Sequence, residues 1–147
     1  MTTLDDAVAL AAPDHGLAVV ATVRADTSVQ ASLVNVGLVP HPATGEPALG
    51  FATSGKVKLA NLRARPDVAV TFRRGWQWAT VEGRADVVGP DDAQPWLTDA
   101  DRLRLLLREV FVAAGGTHDD WDEYDRVMAR ERRAVVMIAP TRVYSNG

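Results

Sequence analysis

A series of short apolar segments, each bounded by turn-forming residues, places the strongest constraint on the fold of this chain. Six segments are rich in valine, alanine and other residues common in strands, and they cover residues 17–23, 29–39, 48–54, 67–72, 76–88 and 134–144. Most of the gaps between them are short. Such gaps join antiparallel neighbours, because a parallel crossover needs about a dozen residues or more. The pattern predicts a mainly β fold, an antiparallel barrel with helices at its edges.

Four helices are predicted around these segments. Thr3 and Asp6 form a capping-box pattern before a short helix that Pro13 ends. A cationic helix follows the third strand segment. Apolar residues then recur at helical spacing between positions 103 and 114, before a glycine pair. Asp119 begins the last helix, and acidic residues crowd its first turn, as the helix dipole favours.

Length, charge and cysteine content narrow the class of protein. At 147 residues the chain can bury one sizeable core, and we expect a single domain over residues 1–147. The formal net charge of −3 argues against general binding to nucleic acid or to membrane surfaces. Cysteine is absent, which excludes disulfides and thiolate chemistry. Because we find neither a signal-peptide pattern nor the roughly 18 apolar residues of a membrane span, we expect a cytoplasmic protein.

The segment from Gly55 to Pro66 carries the clearest functional signal. It reads Gly-Lys-Val-Lys-Leu-Ala-Asn-Leu-Arg-Ala-Arg-Pro and lies between two predicted strands. Lys56 and Lys58 fall in the first turn of the predicted helix, where the positive end of the helix dipole disfavours cations. Two lysines without an acid in that turn favour a bound anion, such as a phosphate, over a solvated basic face.

Two further patterns offer surfaces for a flat ligand. Trp76 and Trp78 begin a strand and share one face of it. They are either core or dimer-interface residues, or an aromatic wall for a planar heterocycle. Ser32, Val34 and Val36 form a small, partly apolar strand face. That face suits either core packing or the approach of a flat ring to backbone amides.

The chain lacks the sequence patterns of common catalytic machinery. Its three histidines are dispersed without metal-ligand spacing, and no nucleophile elbow or phosphate-binding glycine loop is present. We therefore assign no catalytic residue and no metal ligand from the sequence. If the protein is an enzyme, a cofactor carries the reaction.

The order of these motifs resembles the split β-barrel superfamily of pyridoxamine 5′-phosphate oxidase. More narrowly, it is similar to the actinobacterial branch that binds the deazaflavin coenzyme F420. The likeness spans nearly the whole chain, and its most specific part is the Lys-x-Lys-x-x-Asn-Leu-x-x-x-Pro block. Supporting parts are the Trp-x-Trp pair, Glu82-Gly83, the His118–Tyr124 segment, Arg132-Arg133 and Val143-Tyr144.

The resemblance implies a homodimer of six-stranded antiparallel split β-barrels of the FMN-binding type, with cofactor sites in clefts at the subunit interface. Lys56 and Lys58 would bind the cofactor phosphate together with Asn61 and Arg63. Strand residues would lie along the ring, and the Trp pair would approach from the facing subunit or close the site. The residues assigned in this way are Ser32, Val34, Asn35, Thr53, Ser54, Lys56, Lys58, Asn61, Arg63, Trp76 and Trp78. Relatives often carry a polar residue in place of Val34, which leaves recognition of the ring edge there to backbone groups.

The cofactor expected from the resemblance is F420, with FMN as the alternative. F420 carries a phosphodiester and an acidic oligoglutamate tail, whereas FMN carries one phosphate. Four cations within ten residues, Lys56, Lys58, Arg63 and Arg65, exceed what one phosphate needs. We therefore expect an F420-dependent oxidoreductase that transfers a hydride to a small organic acceptor. The other hypotheses are an FMN-dependent oxidase or reductase, and a non-catalytic binder of flavin, deazaflavin or haem.

Overall fold

The computed structural model describes residues 1–97 and 99–147, and within them seven antiparallel strands form one sheet with four helices around it. The strands are β1 (Leu17–Val23), β2 (Val29–Asn35), β3 (Gly37–Pro40), β4 (Pro47–Thr53), β5 (Asp67–Arg74), β6 (Gln77–Val88) and β7 (Ala134–Ser145). The helices are α1 (Leu4–Ala11), α2 (Lys56–Ala64), α3 (Ala100–Ala113) and α4 (Trp121–Arg130), and a short 3₁₀ turn, Ala12–Asp14, follows α1. The predicted mainly β, antiparallel class is confirmed.

The sheet has seven strands where six were predicted, because the segment 29–39 is two strands rather than one. Val36 separates them and donates its backbone N–H to the carbonyl oxygen of Gly16 at 2.9 Å. Gly37 then passes so close to α3 that an added Cβ would lie 2.6 Å from the Cβ of Ala113. At these two tertiary contacts the chain passes from one edge of the sheet to the other.

The strand order shows that the sheet is strongly curved. The order is β2-β1-β5-β6-β7-β4-β3, so β2 and β3 are the two edges even though only Val36 lies between them. In a flat seven-stranded sheet the edges would be roughly 29 Å apart. The Cα atoms of Asn35 and Gly37 cannot be more than about 7.6 Å apart. The sheet therefore curls until its edges approach each other, and no ladder joins β2 to β3 in the part of the chain that the structure describes.

Two clusters of buried side chains fill the molecule, one inside the curved sheet and one under the C-terminal helices. Strand β7 contributes to both because successive side chains on a strand alternate between its faces. Val136 and Ile138 belong to the inner cluster, whereas Val135 and Met137 pack beneath α3 and α4. Buried on both faces, β7 lies between β6 and β4 and holds the sheet together.

The helices occupy the places that the sequence predicts. The capping box of α1 is present: the backbone N–H of Asp6 donates to the hydroxyl of Thr3, and the Asp6 carboxylate accepts from the backbone N–H of Thr3. Helix α2 connects β4 to β5 and buries Leu59 and Leu62. None of the described helices is both long and apolar enough to cross a bilayer.

Candidate functional site

The first turn of α2 carries a buried cation. Lys58 is only 7% exposed, and its Nζ donates to the Thr53 hydroxyl at 3.5 Å and lies 5.9 Å from the centre of the Phe51 ring. Burial lowers the pKa of Lys58, and the positive charge of Arg133 lowers this pKa further. No carboxylate within residues 1–97 and 99–147 forms an ion pair with Lys58. A buried ammonium group without an acidic partner is costly unless an anion accompanies it.

A second cation, Arg133, lies near Lys58 although the two residues are far apart in the sequence. Ala134 is the register partner of Thr53 in the β4–β7 ladder, so Arg133 enters the sheet beside the loop that leads to α2. The Arg133 guanidinium donates to Glu131 at 2.9 Å. Sequence reasoning did not select Arg133 as a site residue. An arginine before a buried strand was visible in the sequence, but only the register of β7 shows what it faces.

Lys58 and Arg133 both line a cavity of about 530 Å³. It lies between the edge strand β2, the end of β4, and helices α3 and α4. Its volume falls within the range of roughly 300–1,000 Å³ that is usual for small-molecule sites. The residues around it are His15, Leu33, Val34, Asn35, Ala52, Thr53, Lys58, Val110, Phe111, Ala114, Gly116, Tyr124, Met128 and Arg133.

One wall of this cavity is aromatic and chemically inert. The rings of Phe111 and Tyr124 lie 5.0 Å apart and are tilted by 46°. The Tyr124 hydroxyl donates to the carbonyl oxygen of Leu107 at 3.0 Å. Burial raises the pKa of Tyr124 to about 12. The phenol is therefore neutral at ordinary pH and already engaged, which makes it a wall rather than a proton donor.

Another wall is formed by the edge strand β2, which contributes Val34 and Asn35. Val34 is buried, and the Asn35 side chain donates to the carbonyl oxygen of His15 at 3.0 Å. Within the part of the chain that the structure describes, β2 pairs with β1 alone, so the other side of β2 carries backbone groups without a ladder partner. Ser32 does not line the cavity. Its hydroxyl oxygen is inaccessible and has no hydrogen-bond partner within the described residues.

Two residues predicted for the phosphate site are engaged elsewhere. The Asn61 amide donates to the Thr22 hydroxyl at 3.0 Å and accepts a 3.4 Å contact from Arg65. Arg63 forms a two-pronged pair with Asp92, with N–O distances of 2.7 and 2.6 Å. Neither Asn61 nor Arg63 lines the cavity. Of the four cations counted in the Gly55–Pro66 segment, Arg63 and Arg65 are therefore occupied by structural contacts.

The remaining predicted residues lie outside the cavity of a single chain. Ser54 and Lys56 are exposed neighbours of Thr53 and Lys58 in sequence, but they are not part of the cavity wall. Trp76 is 94% exposed, and with Trp78 it lines a separate surface hollow. Strand β6, which carries Trp78, is three strands from β2, a separation of roughly 14 Å.

The cavity and its cations form a candidate site for a small anionic molecule at the edge of a curved sheet. The family model described as pyridoxamine 5′-phosphate oxidase matches residues 4–147. The chain therefore belongs to the pyridoxamine 5′-phosphate oxidase family, which confirms the superfamily resemblance found in the sequence.

Solved structures share this fold at low sequence identity. A conserved hypothetical protein of Mycobacterium tuberculosis matches with a TM-score of 0.69 at 17% identity, covering 99% of this chain and 84% of the other. An F420 reductase matches with a TM-score of 0.58 at 20% identity, and the match covers 87% of this chain and 88% of the other. An FAD-binding protein of Mesorhizobium loti matches with a TM-score of 0.59 at 14% identity, and the match covers 97% of this chain and 93% of the other. Likenesses at this identity establish the fold alone.

Proposed function

We propose that the protein is an F420-dependent oxidoreductase that passes a hydride to a small organic acceptor. The observation that carries the proposal is the buried, unpaired Lys58 on the wall of a cavity that the half-buried Arg133 also lines. Within the described residues, Lys58 has no acidic partner that would explain its charge structurally. An anionic ligand supplies the missing partner.

The groups around the cavity fit a coenzyme with a flat ring and a phosphate, and we therefore call it the coenzyme cavity. Lys58, Arg133 and the Thr53 hydroxyl offer donors for phosphate oxygens at one side. Phe111 and the open edge of β2 offer an apolar surface and backbone hydrogen-bonding groups for a heterocycle. Ser54 and Lys56, exposed beside this position, are the further contacts proposed for the part of the coenzyme that reaches solvent.

In this proposal the bound deazaflavin supplies two-electron hydride chemistry, and the protein supplies placement. Holding ring and acceptor in contact lowers the entropic barrier of transfer. Tyr124 keeps its proton because its pKa is about 12, so it shapes the cavity and donates no proton. Proton delivery is then from solvent. This division of work matches the absence of catalytic motifs in the sequence.

The FMN-dependent and non-catalytic alternatives use the same cation pair. With Arg63 paired to Asp92, the count of α2 cations no longer separates F420 from FMN by itself. The choice of F420 is supported by the resemblance of the Lys-x-Lys-x-x-Asn-Leu block and by the F420 reductase of the same fold. The FAD-binding protein of the same fold supports a flavin as the second candidate.

We also propose that the protein works as a homodimer. Val19, Val29 and Leu33 form an apolar patch on the outer face of β1 and β2, with exposed fractions of 41%, 59% and 63%. Val19 and Leu33 are direct register partners. Leu33 also lines the coenzyme cavity, so a second copy covering this patch adjoins the site. The Trp pair of that second copy can then reach the cavity that Trp76 and Trp78 of the same chain do not line.

The test is a parallel titration of the purified protein with F420 and FMN, followed by turnover of reduced F420 in the presence of an electrophilic alkene. We expect F420 fluorescence to be quenched at lower coenzyme concentration than FMN fluorescence, and reduced F420 to be oxidised only when protein and acceptor are both present. Tighter binding of FMN would favour the flavin alternative. Binding of F420 without turnover of any acceptor would favour the non-catalytic alternative.

A further inference from the structure

Lysine is used at one place only in this chain. It occurs twice in the 147 residues, at positions 56 and 58, whereas arginine occurs 14 times. A guanidinium stays charged in proteins, whereas an amine can lose its proton and become a nucleophile. Arginine would bind a phosphate at least as well as lysine does. A lysine on the cavity wall therefore offers a reactivity that the arginines of this chain do not have.

The Lys58 amine has the surroundings of a reactive lysine. Its side chain is buried and lines the coenzyme cavity, and it has no ion-pair partner among the described residues. Burial and the neighbouring charge of Arg133 lower the pKa of Lys58, which increases the fraction of neutral, nucleophilic amine. Lys56 is different, because it is exposed and does not line the cavity.

A hydroxyl group beside the amine suits addition to a carbonyl group. The Thr53 hydroxyl oxygen accepts from the backbone N–H of Gly55 at 3.0 Å and from Lys58 Nζ at 3.5 Å. Both contacts use its lone pairs, so its own proton can be donated to the carbonyl oxygen of an entering molecule. Thr53 also lines the cavity, which places this proton beside the nucleophile.

Arg133 supplies a recognition group for an anionic part of the same molecule. It is half-buried and lines the cavity together with Lys58. Its Nε–H donates to Glu131 at 2.9 Å. The terminal N–H groups of its guanidinium can bind a carboxylate or a phosphate. An amine, a proton donor and an anion-binding group therefore line one cavity.

We propose that Lys58 forms a covalent imine with small aldehydes that carry a carboxylate or a phosphate. The nitrogen lone pair attacks the carbonyl carbon, and a C–N bond forms. The two protons of the amine leave with the carbonyl oxygen as water, so the carbinolamine becomes an imine. The step consumes no oxidant and no reductant. The inference goes beyond the proposed function and does not depend on which coenzyme the cavity binds.

Reductive trapping tests the proposal, with 4-formylbenzoate as the probe and its methyl ester as the uncharged comparison. Sodium cyanoborohydride converts the imine to a stable secondary amine, which intact mass and peptide mapping count and locate. Lys56 is the control within the same sample, since the sequence contains no third lysine. At pH 7 we expect Lys58 to be modified about tenfold faster than Lys56. The charged probe should modify Lys58 about tenfold faster than the ester does.

Two variants separate the roles of the amine and of the guanidinium. Lys58→Arg keeps the charge and removes the nucleophile, so it should abolish the adduct at this position and leave the reaction of Lys56 unchanged. Arg133→Gln should bring the rates of the charged probe and the ester at Lys58 to within about twofold of each other. Thermal unfolding establishes that both variants are folded.

The comparison of the two lysines decides the outcome in the wild type. Equal modification of Lys56 and Lys58, or modification of Lys56 alone, would overturn the inference. An unchanged preference for the charged probe in folded Arg133→Gln would overturn it as well. Saturating oxidised F420 should protect Lys58 from the probe if the proposed function holds. If F420 gives no protection while Lys58 is still modified selectively, the coenzyme assignment falls and the imine site stands.

Discussion

Replacing Lys58 with methionine should weaken coenzyme binding and at the same time stabilise the coenzyme-free protein. Methionine keeps an unbranched stem of similar length and removes only the ammonium group. In the free protein that group is buried, makes one long contact of 3.5 Å to Thr53, and lies close enough to Arg133 to be disfavoured by its charge. Removing it therefore relieves an unfavourable desolvation and repulsion.

The expected loss of affinity follows from the contact that the ammonium group makes with the phosphate. A hydrogen bond to a charged group contributes about 1.5–3 kcal/mol. At 1.36 kcal/mol for each factor of ten, this corresponds to a loss of roughly 13- to 160-fold in the affinity for F420. The thermal midpoint of the free protein should rise, because the lowered pKa of Lys58 shows that folding disfavours its charged form.

Fluorescence titration with F420 and thermal unfolding of the coenzyme-free protein measure the two effects on the same samples. Lys56→Met is one control, because Lys56 is exposed. Lys56→Met should weaken the free energy of F420 binding by less than about 1 kcal/mol and leave the thermal unfolding midpoint unchanged. Arg63→Met is the other, since breaking the pair with Asp92 should lower the midpoint and spare the affinity. An unchanged affinity of a folded Lys58→Met protein would refute the assignment of the phosphate site.

Two further predictions concern pH and assembly. F420 affinity should fall as pH rises from 7 towards 10.5, the ordinary pKa of lysine, because free Lys58 releases its proton below that value and the phosphate favours the charged form. Over the same range the free protein should gain stability, since the unfolded chain holds a proton that the folded chain releases. Lys58→Arg should flatten the pH dependence of affinity, and a similar slope in that variant would exclude Lys58 as the titrating group. By light scattering the wild type should be a dimer and Leu33→Asp a monomer with weakened F420 binding, whereas Val57→Asp, which removes an exposed apolar residue on α2, should remain dimeric.

The secondary structure was largely predictable because each element has a local cause. Apolar alternation and short turns gave the strands, and the capping box and acidic first turns gave the helix starts. The division of 29–39 into two strands has no comparable local signal. It depends on the hydrogen bond from Val36 to Gly16 and on the close approach of Gly37 to α3, both of which are tertiary contacts.

The candidate site was predictable only in part, for the same reason. Lys58 was found because a cation at a helix start is locally unfavourable. Arg133 was missed because its position depends on the register between Thr53 and Ala134. The resemblance assigned Arg63 to the phosphate. The sequence does not show that the turn after β6 brings Asp92 to Arg63. Pattern identifies which residues carry charge, and long-range pairing decides which of those charges are free to bind.

The central position of β7 determines how the proposed coenzyme cavity assembles. Thr53 and Ala134 pair although they are 81 positions apart, and the two cations of the coenzyme cavity come from opposite sides of that pairing. Contacts of such long range carry a large loop-closure cost and slow folding. Cutting the polypeptide between α3 and α4 would therefore place Lys58 and Arg133 on different fragments. Neither fragment alone should capture the coenzyme, whereas mixing them should restore capture, so the deazaflavin would report directly on reassembly.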